Sequence, residues 1–425
     1  MIPYLKLLSI SWVISTSMAT AVFAEDQEPT APPVPIRFSE QLIDDNYSYA
    51  YGMAVADLDG DGDLDLTSPD IRHESVSDMS WFENNGHGQF SRQVIHDNEP
   101  GWFERHAVGD INQDGTPDVV VVDNQGGRIL WLANPGGKLR GSWQRHLVTT
   151  DLPRAYDVAL ADLDNDGDLD IAASGYATAV FRWYENPGDG GWDKAWTSRQ
   201  IDDNMPDART IRVGDFNRDG RPDLLGSAAR PPQDGTHRGP LVWYANSGDP
   251  TNPSWQRHEI ESRPVYPIHG SPVDLDQDGD LDVLMAFGLT TLFADDLQTH
   301  EVAWYEQAQD PADPNGWVRH TIGKLPAAFE AVAADLDGDG DLDVAATAWQ
   351  KGHGKVVWFE NHGNPRGGWT QHLLKNNWDS ANQLVVADLN GDGRLDIVAV
   401  ADDGYQSNAI TNELRWWRNE GNTTR

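Results

Sequence analysis

Nine residues, Asp57 to Asp65, read D-L-D-G-D-G-D-L-D, and the chain repeats this pattern six more times. The other copies run from Asp110 to Asp118, Asp162 to Asp170, Asp215 to Asp223, Asp274 to Asp282, Asp335 to Asp343 and Asp388 to Asp396. Each copy has Asp or Asn at positions 1, 3 and 5, Gly at 6 and Asp at 9. A glycine turn therefore folds four oxygen-bearing side chains toward one point. Calcium takes roughly six to eight oxygens, and this spacing offers four side chains, a backbone carbonyl at position 7 and room for water.

The expected ligands are Asp57, Asp59, Asp61 and Asp65 in the first loop and Asp110, Asn112, Asp114 and Asp118 in the second. They are Asp162, Asp164, Asp166 and Asp170 in the third, and Asp215, Asn217, Asp219 and Asp223 in the fourth. The fifth offers Asp274, Asp276, Asp278 and Asp282, the sixth Asp335, Asp337, Asp339 and Asp343, and the seventh Asp388, Asn390, Asp392 and Asp396. Up to seven structural Ca²⁺ ions are thus expected. An EF-hand would need a Glu at loop position 12 and flanking helices. Position 12 is Ser68 in the first copy and Val121 in the second, and β-type runs such as Val119 to Val122 follow the loops. These loops join strands.

Each repeat adds a strand marked by a Trp, in most copies as Trp-aromatic-x-Asn, with Trp81, Trp131, Trp183, Trp243, Trp304, Trp358 and Trp416, and a further strand marked by Phe38, Phe90, Trp143, Trp196, Trp255, Trp317 and Trp369. Four short strands per unit, repeated radially, make a β-propeller, so the expected fold is all-β with seven four-stranded blades. The aromatic stripes are expected to fill the wedges between blades. Phe38 precedes the first loop and no such marker follows Trp416. The strand Arg37 to Ile43 is therefore expected to complete the unit made by Gln383 to Asn419 and close the ring.

Residues 1–24 carry Lys6, the apolar run Leu7 to Ala21 and the ending Val22-Phe23-Ala24, the pattern of a secretory signal peptide cut after Ala24. Residues 25–36 form a Pro-rich linker, and 37–421 the propeller. No later stretch approaches the roughly 20 apolar residues of a membrane span, so the protein is expected to be secreted or periplasmic. It has no cysteine, and calcium would take the place of disulfides. The net charge is −37, with 29 of the 68 acidic residues inside the loops. Such acidity excludes nucleic acid as a partner, because phosphate binding needs a basic footprint.

The loops at Asp57, Asp162, Asp274 and Asp335 resemble the FG-GAP or VCBS repeats of integrin α-subunit-like propellers, over residues 37 to 420. The Phe-Gly and Gly-Ala-Pro signatures of the integrin version are not evident. The resemblance implies a calcium-binding propeller, and secreted propellers of this kind are associated with polysaccharides as lyases, lectin-like modules or dehydratase domains.

If the first turn of each blade carries calcium, the connections into each blade and between its second and third strands emerge on the opposite face. There lie Tyr47, Tyr49, Tyr51, Trp102, Arg105, His106, Arg154, Tyr156, Asp207, Arg209, Tyr266, His269, Phe329, Glu330, Trp378 and Asn382. The other connections add Arg72, His73, Tyr176, Arg230, His237, Arg238, Lys351, His353 and Tyr405, with long insertions at 227–240 and 287–301. Arg, His and Tyr gathered on one face of an acidic protein suit an anionic, ring-bearing ligand such as an acidic polysaccharide. Expected ligand contacts are Tyr51, Arg105, Arg154, Glu330 and Asn382.

The same residue types serve β-elimination from a uronic acid, which needs a cation on the carboxylate, a base for the C5 proton and an acid for the leaving oxygen. His106, Tyr156, Arg209, Tyr266 and His269 are the candidates. Three functions stay open: a glycan-binding propeller, a polysaccharide lyase, and an adhesion or protein-interaction scaffold. A Gly-x-Ser-x-Gly elbow and a phosphate-cradling loop before a helix are both absent from the sequence.

Overall fold

The computed structural model describes residues 36–422 apart from 47, 73–75, 138–140, 189, 193, 230–237, 250–253, 289–298 and 402–411. The expected signal peptide and nearly all of the linker lie outside the described residues. Among those described there is no α-helix, and no helix long and apolar enough to cross a membrane. The strands form seven four-stranded antiparallel sheets arranged as the blades of a β-propeller.

Blade 1 runs Ala54–Ala56, Asp65–Arg72, Val76–Asn84 and Phe90–Pro100 from the axis outward. Blade 7 is made of Ala381–Ala387, Asp396–Ala401 and Glu413–Asn422 with Ile36–Asp44 as its outermost strand. Ser39 pairs with Arg418 and Gln41 with Trp416, so the ring is closed by the strand expected to close it, one residue longer at each end.

The local reason for the blade shape lies in the loops. In all seven, the Asp at position 1 accepts the N–H of the Gly at position 6, from 2.7 Å at Gly393 to 3.1 Å at Gly340. These glycines have φ between 82° and 101°, a backbone region that side chains avoid. The Asp at position 9 begins the second strand and is at most 1% exposed. Asp118 shows its role: Oδ2 accepts the N–H of Ile111 at 3.0 Å and Oδ1 that of Asn134 at 2.7 Å. The same pair of bonds recurs in every blade. Position 9 is thus a staple between the turn and the third strand, whatever it does for a metal.

The Asn of the Trp-aromatic-x-Asn marker then ties neighbouring blades together. Its amide donates to the position-2 carbonyl of the preceding blade's loop: Asn84 to Leu389 at 2.7 Å, Asn134 to Leu58 at 2.8 Å, Asn186 to Ile111 at 3.0 Å, Asn246 to Leu163 at 2.8 Å and Asn419 to Leu336 at 2.7 Å. Gln307 takes this place in blade 5 and, with its amide turned to donate, reaches Phe216 O at 3.3 Å. Asn361 donates within its own blade, to Leu342 O.

Core packing follows the same seams. Seven apolar clusters each join two adjacent blades, as where Trp131 of blade 2 meets Tyr184 and Trp196 of blade 3. The aromatic stripes are inter-blade core, as expected. One cluster also reaches inward and surrounds the axis with Tyr51, Tyr156, Tyr266 and Phe329.

Candidate functional site

The entry connections and the second-to-third connections share the face opposite the Asp-rich loops. Backbone bonds join them directly, as Asn124 N to Trp102 O at 2.8 Å and Trp349 N to Ala327 O at 2.9 Å. On this side the innermost strands bring two rings of side chains to the axis. Six residues before each loop stand Tyr51, Glu104, Tyr156, Arg209, Ile268, Phe329 and Asn382, and five before stand Gly52, Arg105, Asp157, Thr210, His269, Glu330 and Gln383.

Three expected site residues meet there in one chain of contacts. The Tyr51 hydroxyl lies 2.8 Å from that of Tyr156, which lies 2.8 Å from His269 Nε2. His269 Nδ1 lies 3.0 Å from the Phe329 carbonyl, an atom that only accepts, so Nδ1 carries the proton. Nε2 must then accept from Tyr156, and Tyr156 from Tyr51. Burial, with Arg105, Arg212 and Arg209 nearby, holds the His269 pKa well below its ordinary value, so the ring is neutral. Burial likewise raises both tyrosines. His269 is fully buried and Tyr156 is 2% exposed.

Arg105 is balanced rather than free. Its Nε lies 3.0 Å from Asp157 and its Nη1 2.9 Å from Glu330, and both acids are buried with it. Arg209 holds Asp207 at 2.7 Å, and its guanidinium carbon lies 4.5 Å from the centre of the Tyr156 ring and 4.4 Å from that of Tyr176. Such cation–π contact suits a guanidinium, whose charge is weakly hydrated.

Glu104 was not among the residues singled out from the sequence, and it is the most unusual group at the axis. Its Oε2 is buried without a hydrogen-bond partner. Burial pushes its pKa up to about 8 against the pull of Arg209, Arg154 and Arg105. Its place six residues before Asp110, in register with Tyr51 and Tyr156, was the available signal. Gly52 packs against it: φ is 151°, and a Cβ there would stand 2.6 Å from the Glu104 carbonyl oxygen.

The remaining candidates spread around this centre. His106 Nε2 lies 2.8 Å from Thr67 Oγ1 across the blade 1 and 2 seam, and burial with Arg105 lowers its pKa to about 3. Tyr266 sits edge-on to His300 at 5.4 Å, with a left-handed φ of 47°. Asn382 donates to Ala50 O at 3.0 Å, linking blades 7 and 1. Arg154 is exposed and donates to Asn124 Oδ1 at 3.0 Å. Half-buried Trp102, Tyr176 and Trp349 pack against Tyr49, Tyr156 and Phe329, forming an aromatic collar above the buried chain. Tyr47, His73, Arg230, His237 and Tyr405 lie outside the described residues, as do 230–237 and 289–298 of the two insertions.

On the other face, three carboxylates approach within 4.8 Å of one another in four loops. They are Asp57, Asp59 and Asp61; Asp162, Asp164 and Asp170; Asp274, Asp276 and Asp282; and Asp335, Asp337 and Asp339. Asn112, Asn217 and Asn390 remove one carboxylate from each of the other three. The fit to a divalent cation is clearest in the third loop, where Asp164 is 6% exposed and its Oδ1 has no partner. Burial and the adjacent Asp166, Glu185 and Asp162 push its pKa up to about 6. Asp274 Oδ1 in the fifth loop is likewise unpartnered. Oxygens held together against their mutual repulsion are what a hard cation would relieve.

A family model described as an FG-GAP-like repeat matches residues 73–121, 110–173 and 335–399. No curated protein matches the chain.

Proposed function

We propose that this chain, a seven-bladed β-propeller carrying FG-GAP-like repeats, is an exported, calcium-stabilised binding scaffold that holds an acidic polysaccharide on the face opposite its calcium loops. The observation that carries the reading is the half-buried collar of Trp102, Tyr176 and Trp349 on the same face as Arg154, an exposed residue whose guanidinium rests on Asn124. Aromatic faces suit sugar rings, and an exposed Arg can fork onto a carboxylate or sulfate. Calcium at the loops is supported by the carboxylate clusters, and export by the leader-like residues 1–24.

Binding is favoured over elimination for a physical reason. A base must come within hydrogen-bond reach of the proton it takes, and His269 is fully buried while Arg105 is already neutralised by Asp157 and Glu330. A lyase remains the second reading because of one arrangement, the Tyr51–Tyr156–His269 chain beside Glu104, whose Oε2 is unpartnered. A propeller surface is also compatible with a protein partner.

The test is retention of the mature protein on a panel of immobilised acidic polysaccharides in millimolar calcium, with ultraviolet absorbance followed for unsaturated uronate. Retention that Arg154→Ala and Trp102→Ala each weaken, without new absorbance, is the expected result. Absorbance growth lost in Glu104→Gln would make the protein an eliminating enzyme. Indifference to every polysaccharide would remove the glycan reading and leave a protein partner.

A further inference from the structure

The seven loops differ in charge, and two of them carry a cation of their own. In the fourth loop position 3 is Asn217 and position 7 is Arg221; in the seventh these are Asn390 and Arg394. Both arginines fold back in the same way. Arg221 Nε donates to Asn246 O at 3.2 Å and its Nη2 to Asp219 Oδ2. Arg394 Nε donates to Asn419 O at 2.9 Å and its Nη2 to Asp392 Oδ2. Asn246 and Asn419 are the same position of the third strand, so one end of each guanidinium is fixed on backbone. The other end covers the position-5 carboxylate that a metal would need.

By contrast, position 7 is Asp63, Asp168 and Asp341 in the first, third and sixth loops, where carboxylates stand at every odd position. The fifth loop also receives arginines, Arg218 onto Asp280 at 2.6 Å and Arg366 onto Asp276, but from neighbouring blades. Asp274 there keeps an unpartnered oxygen. An arginine two residues from its carboxylate is always at hand. A calcium ion entering the fourth or seventh loop would have to displace it and then sit beside its charge.

We propose that Arg221 and Arg394 are tethered counterions that replace calcium in the fourth and seventh loops, so that the propeller loads at no more than five of its seven repeats. This rests on the calcium reading of the other loops, and the measurement separates the two. Native mass spectrometry of the intact protein titrated with Ca²⁺ should give five ions or fewer at saturation. Arg221→Asp and Arg394→Asp, which restore the acid present in the first loop, should each add one. More than five ions on the natural sequence, or counts unchanged in both variants, would overturn the proposal.

No bound ion at all would remove the calcium reading, and a second measurement then decides the counterion role. In EDTA, Arg394→Ala should lower the melting temperature more than Arg37→Ala, whose side chain is exposed. Equal melts would overturn the role of Arg394 whether or not the other loops bind metal.

Discussion

The side-chain amide of Asn134 donates at 2.8 Å to the carbonyl of Leu58, a residue of the neighbouring blade's Asp-rich loop. It also donates to Pro117 O at 3.0 Å, so both amide hydrogens are used at a buried seam. Asn134→Ala leaves two carbonyls without a partner, a loss on the order of 1–3 kcal/mol for each buried group orphaned. Urea unfolding should therefore show a clear drop in midpoint. Asn361→Ala, which removes a bond within one blade only, should cost less.

Chelation should destabilise the protein, and more at pH 8 than at pH 6. Asp164 and Asp168 have pKa values raised to about 6 and about 7 by burial and by the neighbouring carboxylates, Asp166 first among them. In the metal-free fold they bind protons that the unfolded chain, with ordinary carboxyls, does not. Acid therefore favours the metal-free folded state, and raising the pH through that range removes the benefit. Calcium instead gains as the carboxyls ionise, contributing about 1.4 kcal/mol per site at ten times Kd. Calorimetric melts with and without EDTA at the two pH values check this.

His106 gives the opposite pH dependence. Its folded pKa is about 3, while the unfolded value is about 6.5. Above pH 6.5 both states are neutral and nothing is lost; as the pH falls, only the unfolded chain takes the proton. At pH 4.5 the loss is on the order of 2–3 kcal/mol, and His269 adds to it in the same direction. Calcium-loaded His106→Gln should lose less melting temperature between pH 7 and pH 4.5 than the natural sequence does. Parallel curves would place the acid sensitivity elsewhere.

Trp131→Ala should destabilise by about 3–5 kcal/mol, since the ring is 1% exposed in the seam between blades 2 and 3. Trp192, half-buried and edge-on to it at 5.8 Å, should cost less when truncated. Denaturant titration of the two variants separates a core ring from its lid.

The architecture was largely legible because its signals are local. The D-x-D-x-D-G-x-x-D turns, the Trp-aromatic-x-Asn strands and the position of Phe38 ahead of the first loop each state a short-range preference, and seven repetitions leave one arrangement. The face sorting followed from strand alternation alone. What stayed hidden depends on separate blades meeting. Asn134 was visible as a marker, but Leu58 lies 76 residues away. Glu104 looked like one more acid in an acidic chain until the ring put it among arginines. Arg105 and His269 were recognised as central, yet whether they face solvent or bury each other is set by how closely seven strands approach the axis.

Because Ser39 pairs with Arg418, the first strand of the propeller to leave a ribosome finds its partner only after some 380 further residues have followed. Until Arg418 has been made, that pairing cannot form. Joining ends that far apart carries a closure entropy of about 5 kcal/mol in a flexible chain. Closing this ring therefore waits on its latest strand, and the seam joins the earliest residues of the propeller to the last.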